Sequence, residues 1–132
     1  VGRILKLHGK TVSAAESCTG GNIAALLTSV AGSSEYFLGS VTSYANSVKT
    51  NVLGVPKEVI DAHGAVSSEC VAKMAEGVRR LTGSDYSVAT SGIAGPGGGT
   101  SEKPVGLVYI SVASKWAETK VYKNIFDFLI FI

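Results

Sequence analysis

The chain has 132 residues, 45% of them hydrophobic and 17% charged, with 12 basic side chains against 10 acidic ones. That length suits one domain with a core of its own, since domains commonly run ~100–150 residues, and the apolar content excludes a disordered chain. A net charge of +2 with no stripe of Lys and Arg gives no support to nucleic acid as the main partner, although a small anionic ligand would need only one or two well-placed cations.

Val1–His8 reads as the last turns of a helix with Ile4, Leu5 and His8 on one side, closed by Gly9-Lys10. Thr11–Ala15 is a short strand of small and β-branched residues. The tight connection Glu16–Gly21 (ESCTGG) follows, then an amphipathic helix over Asn22–Val30 with Ile23, Leu26, Leu27 and Val30 on its apolar face. Gly32-Ser33-Ser34 breaks that helix. Phe37–Tyr44 reads as a strand, Asn46–Leu53 as a helix ended by Gly54, and Pro56–Ala62 as a short helix with Pro in its first turn. Ser67–Leu81 carries the clearest helical pattern: Ser67 suits the N-cap, Val71, Met74, Ala75, Val78 and Leu81 form the stripe, and Gly83 ends it. Tyr86–Thr90 is a strand, Gly92–Lys103 a glycine-rich loop. Val105–Ala113 and Glu118–Phe126 are two further strands, antiparallel neighbours turning near Lys115. Helices alternate with strands before a late hairpin, which predicts a layered α/β domain with a mixed sheet.

The two cysteines, Cys18 and Cys70, form no disulfide framework and read as free thiols of a reducing, cytoplasmic compartment. With His8 and His63 they lack any metal-ligand spacing, so no metal is expected. The N-terminus has no leader-like apolar core, and no apolar run reaches the ~18 residues of a membrane span, so no membrane partner is expected.

Three features offer chemistry. A strand-to-helix turn such as ESCTGG lifts a side chain above the carboxyl edge of the sheet and brings backbone N–H groups to the same spot. Ser17 or Cys18 can be the nucleophile there, and only one of two neighbours can point into a site; a plain capping turn explains the same residues. Tyr44 and Lys49 sit at the end of a strand and the start of a helix. A Lys serves as base only if burial lowers its pKa; by spacing alone, an exposed helix Lys and a half-buried Tyr is the favoured reading. The loop Thr90–Gly99 follows a strand but matches neither the P-loop nor the dinucleotide fingerprint. It is a nest for one phosphate or carboxylate, or a surface loop. Asp61, His63 and Ser17 or Ser67 contain the residue types of a triad, but His63 lies in a helix-ending run that favours a local turn or capping role.

The stretches AESCTGG (Ala15–Gly21), SYANSVK (Ser43–Lys49), HGAVS (His63–Ser67) and SGIAGP (Ser91–Pro96) followed by EKPVG (Glu102–Gly106) resemble, in order, the CinA C-terminal domain family, whose enzymatic members are nicotinamide mononucleotide deamidases. The resemblance covers roughly residues 10–115. It implies a three-layer α/β/α sandwich with a mixed sheet, often in homo-oligomers such as dimers, and hydrolysis of a pyridine-nucleotide carboxamide to the carboxylate with release of ammonia. It places the nucleophile on Ser17, an assisting dyad on Lys49 with Tyr44, and a helping hydroxyl on Ser91, where the family usually has Thr. Neither a metal nor an organic cofactor is implied. Thr19, Gly20 and Gly21 are then the oxyanion and substrate contacts, and Gly92, Gly95 and Gly97 the candidates for holding the ribose phosphate.

The pattern departs from the family at its end. A Gly-Asp/Asn-Arg stretch and a long helix are expected after the last strand; here the sequence runs Val121–Phe128 without arginine. The expectation is one domain over residues 1–132 with that C-terminal helix lacking or replaced. Either an active deamidase takes its cation from elsewhere, Lys103 or Lys123 or a neighbouring subunit, or a non-catalytic member keeps a nucleotide-binding or interaction role. The closing NIFDFLIFI, seven apolar residues in nine, is expected to be buried.

Overall fold

A computed structural model describes residues 1–127. A five-stranded sheet runs in the order β2-β1-β3-β4-β5. Its strands are β1 (Val12–Glu16), β2 (Phe37–Thr42), β3 (Tyr86–Gly92), β4 (Leu107–Ser114) and β5 (Lys120–Ile125). β2 and β3 flank β1 in parallel, β4 pairs antiparallel with β3, and β5 antiparallel with β4. The sheet is therefore mixed, as the order of elements predicted.

The helices are α1 (Gly2–Leu7), α2 (Asn22–Thr28), α3 (Asn46–Asn51), α4 (Lys57–His63) and α5 (Ser68–Thr82). Helix α5 lies across one face of the sheet and forms the core with it: Val71, Met74, Ala75 and Val78 pack with Ala15, Ala89, Ala113, Leu53 and Val55. Ser67 caps α5 as predicted, its Oγ accepting from the Cys70 N–H at 3.1 Å, and Gly83 closes it with φ 74°. The stripe stops short of Leu81, which is 57% exposed; the helix end overhangs the sheet there. At Gly77 an added Cβ would overlap the Leu53 carbonyl, so a glycine is what lets the α3–α4 connection approach α5.

Helices α1 and α2 cover the opposite face in part. Between them and the sheet lies an apolar groove of about 780 Å³ lined by Ile4, Leu5, Val12, Ile23, Val88 and Val112 among others. The predicted faces of α1 and α2 do turn this way, except that Leu26 and Val30 point into solvent; α2 ends at Thr28, before Val30 can complete the stripe. Pro56 precedes α4 as its N-cap instead of standing in the first turn. Ile125 and Phe126 are exposed, contrary to the expectation for the apolar ending, because β5 is an edge strand paired with β4 alone. The same expectation for Phe128–Ile132 lies outside the described residues. No helix among the described residues is long and apolar enough to cross a membrane.

Candidate active site

The carboxyl ends of β1 and β3 are adjacent, and the chain leaves β1 for β2 on one side before returning to β3 on the other. Such a switch point in an open α/β sheet forms a crevice. The side-chain alternation of β1 decides what enters it. Ser13 and Ala15 face α5, and Ser13 Oγ lies 3.5 Å from the Val78 carbonyl. Glu16 therefore faces α2, and Ser17 returns to the α5 side.

There Ser17 Oγ meets Lys49 Nζ at 3.1 Å. Lys49 reaches it from α3 and is 1% exposed. Its other contacts are the carbonyls of Ser43 at 2.6 Å and Tyr44 at 3.3 Å. Burial pushes its pKa down, partly opposed by the Cys70 and Cys18 thiols. Two carbonyls and one hydroxyl suit both protonation states. A neutral amine has two N–H bonds for the carbonyls and a lone pair for the serine proton; an ammonium has three N–H bonds for the same three oxygens. Of the two neighbours left open as nucleophile, Ser17 is the one whose side chain is hydrogen-bonded to Lys49 among the described residues. Burial raises the Cys18 pKa, against weaker lowering by its own N–H and by Lys49, so this thiol is held protonated.

Tyr44 does not join this pair through its ring. The side chain is 76% exposed and only the main-chain carbonyl reaches Lys49. Ser91 is buried on the same sheet face as Ser17, but its hydroxyl donates to the Ala65 carbonyl at 2.8 Å and makes no hydrogen bond to Ser17 or Lys49 among the described residues. It ties β3 to the connection between α4 and α5.

The turn itself is wired differently from the sequence expectation. The Gly20 N–H donates to the Ser17 carbonyl at 3.0 Å, and the Gly21 N–H to Glu16 Oε1 at 3.2 Å, so neither is free for an oxyanion. The Thr19 hydroxyl is likewise taken, by Glu16 Oε1 at 2.6 Å and Thr90 Oγ1 at 2.8 Å. Among the described residues, the N–H groups of Cys18 and Thr19 find no oxygen acceptor and lie beside the Cys18 sulfur. Unlike those of Gly20 and Gly21, these N–H groups are not committed to an oxygen. Gly20 and Gly21 earn their place by conformation, with φ of 63° and 107° in succession.

In the second loop, Gly92 closes β3, and a Cβ there would come within 2.5 Å of the Leu107 carbonyl; it is a strand-packing glycine. Gly97 is exposed with open space around it, and Gly95 is half-buried. Lys103, at the far end of this loop, donates to the His63 carbonyl at 2.8 Å. No triad forms at His63: its Nδ1 lies 3.8 Å from Glu69, while Asp61 pairs with Lys57 at 3.0 Å. Sequence reasoning missed Glu16 and Thr90. The available signal was a helix start at Gly21 with no capping side chain, five residues after an acid.

Comparisons with known proteins bear on the family and the fold. A CinA-like protein of Desulfosudis oleivorans is 60% identical over 113 residues, which is 86% of this chain and 27% of that protein. One of Parasynechococcus marenigrum is 57% identical over 110 residues, 83% of this chain and 26% of that protein. The chain thus spans about a quarter of the length of these curated relatives. Among solved structures, the competence/damage inducible protein CihA of Agrobacterium tumefaciens superposes with TM-score 0.89 at 40% identity, over 92% of this chain and 73% of that one. The competence damage-inducible protein A of Klebsiella pneumoniae gives 0.90 at 37%, over 94% and 76%. The family model for the CinA C-terminal domain matches residues 1–127, every residue described here, and the chain belongs to that family.

Proposed function

We propose that this domain is an amidohydrolase that removes the carboxamide nitrogen of a pyridine mononucleotide, nicotinamide mononucleotide in the first place, giving the carboxylate and ammonia. The observation that carries the reading is the 3.1 Å contact between Ser17 Oγ and a buried Lys49 Nζ whose pKa is lowered by desolvation. A serine is a poor nucleophile until a base within hydrogen-bond reach takes its proton, and a lysine is a base only when neutral.

Ser17 Oγ attacks the amide carbon while its proton passes to Lys49 Nζ. The developing oxyanion is held by the Cys18 and Thr19 N–H groups. Lys49 then returns a proton to the leaving nitrogen, which departs as ammonia. Water hydrolyses the resulting ester with Lys49 acting as base once more, and Ser17 is restored. Ser91 holds the Ala65 carbonyl and so ties the end of β3 to the connection between α4 and α5. Tyr44, exposed beside the crevice, is a substrate contact in this scheme and not a proton relay. The resemblance to the deamidases supports the choice of substrate; the pair of side chains supports the reaction class.

The test is ammonia release from nicotinamide mononucleotide by the domain and by Ser17→Ala. The expected result is activity in the first and a loss of at least ~10³-fold in the second, on the scale of other serine nucleophiles. Activity that survives Ser17→Ala removes the assignment. Absence of release alongside measurable nucleotide binding replaces the enzyme with a binding module.

A further inference from the structure

Glu16 is fully buried and one residue from the proposed nucleophile, and the reaction scheme above does not use it. Its carboxylate has no Lys, Arg or His in ion-pair range among the described residues. Four donors hold it instead: the Thr19 hydroxyl at 2.6 Å and the N–H groups of Gly21 at 3.2 Å, Ile23 at 2.9 Å and Ala24 at 2.9 Å. A buried charge is costly, and capping alone does not require one, since an exposed Ser or Asp at the N-cap satisfies a helix start at far lower cost. The Thr19 hydroxyl has one proton, and the acceptor-only carboxylate takes it. In the Thr19–Thr90 contact of 2.8 Å the donor is therefore Thr90. The chain Thr90 to Thr19 to Glu16 binds the end of β3, the turn and the start of α2 into one unit, with Ser17 and Cys18 enclosed between two of its members.

We propose that Glu16 is a positioning residue: its carboxylate, through Thr19 and Thr90, fixes the turn in the arrangement that aims Ser17 Oγ at Lys49. The kinetic part of this inference rests on the amidase reading; the structural part does not. Glu16→Gln is the sharp perturbation, because an amide of the same shape cannot accept from every one of these donors. Thr19→Val breaks the relay and leaves the carboxylate in place; Thr19→Ser restores the hydroxyl.

Cys18 supplies a readout independent of turnover. Its thiol is partly accessible and sits inside the enclosed segment, whereas Cys70 is fully buried and serves as internal reference. The experiment measures Cys18 alkylation by iodoacetamide, followed by mass spectrometry, beside kcat and KM for ammonia release. Glu16→Gln and Thr19→Val are expected to change the alkylation rate by at least about fivefold, because thiol reactivity follows its immediate donors and access. Thr19→Ser is expected to return to the parent rate. The same two disruptive variants should lower kcat by ~10²-fold with KM little changed, as for a misplaced reacting group. Parent alkylation rates in both disruptive variants would overturn the proposal, as would an undiminished kcat in an active enzyme. If the parent releases no ammonia the amidase reading fails, and the alkylation arm alone decides whether Glu16 positions the turn.

Discussion

Replacing Lys49 by Met removes the amine and keeps a side chain of similar reach, and the structure predicts a lower rate together with a change in stability that depends on pH. Without a base, turnover falls by ~10²–10⁴-fold. On the stability side two terms compete. The Ser43 carbonyl, on a residue with no exposed surface, loses the donor it has at 2.6 Å, at a cost of ~1–3 kcal/mol that does not depend on pH. Against it, the parent carries an amine whose pKa burial has lowered from 10.5. Between that lowered value and 10.5 the unfolded chain binds more protons than the folded one, so the stability of the parent rises with pH. Each tenfold displacement of the protonation equilibrium corresponds to ~1.4 kcal/mol, or ~2–8 °C in Tm for a domain of this size. Lys49→Met is blind to this term. The stability of the variant relative to the parent is thus greatest below the lowered Lys49 pKa and declines as pH rises from there toward 10.5. Thermal melts of both proteins from pH 6 to pH 10, beside ammonia release, provide the assay. A difference in Tm that stays constant over that range, or a variant keeping more than about a tenth of the parent rate, would refute the reasoning.

Ser67→Ala removes a hydroxyl that accepts from Cys70 and donates to the Gly64 carbonyl at 2.8 Å; urea unfolding should show a loss of ~1–2 kcal/mol, the upper range for an N-cap. Gly77→Ala places a methyl group on the Leu53 carbonyl, and the same measurement should lose ~1–3 kcal/mol as α5 is pushed off its neighbour. Asp85 accepts from the Thr11 N–H and hydroxyl at 2.9 and 3.1 Å, which with Lys115 hold its carboxyl below the usual range. Its contribution is present above the ordinary carboxylate pKa and fades as pH falls through the lowered one, so Asp85→Asn should be less stable than the parent at pH 7 and match it in strong acid. Tyr44→Phe removes an exposed phenol and should leave Tm unchanged, with any kinetic effect appearing in KM.

The architecture was legible because local signals agreed with one another. Ser67 and Gly83 bracket α5 as cap and stop, the apolar spacing between them names the face that meets the sheet, and the late pair of strands gives the hairpin. Ends blurred where packing overrode pattern, as at Leu81 and Val30. The pairing of Ser17 with Lys49 was legible through motif resemblance alone, since 31 intervening residues say nothing about distance. The wiring of the turn was not legible. An acid next to Ser17 looks, in sequence, like an active-site acid, and only the fold shows its oxygens filled by the start of α2. Ser91 and Tyr44 illustrate the same limit from the other direction. A hydroxyl and a phenol near the site in sequence spend their polar atoms on Ala65 and on solvent.

The alternation of β1 has a consequence for how this domain tolerates length changes. Glu16 and Ser17 are consecutive, yet they serve opposite layers. Their roles are a matter of phase: a one-residue insertion or deletion within Val12–Glu16 would turn each to the other face of the sheet. An insertion would carry the carboxylate to the place of Ser17, beside Lys49, where it would hold the amine as a salt-bridged ammonium; a deletion would leave the serine at the place of Glu16, facing three N–H groups and the Thr19 hydroxyl that the carboxylate now serves. Substitutions along this strand can be graded, but an indel of either kind acts as a switch that parts Ser17 from Lys49 and Glu16 from α2 together.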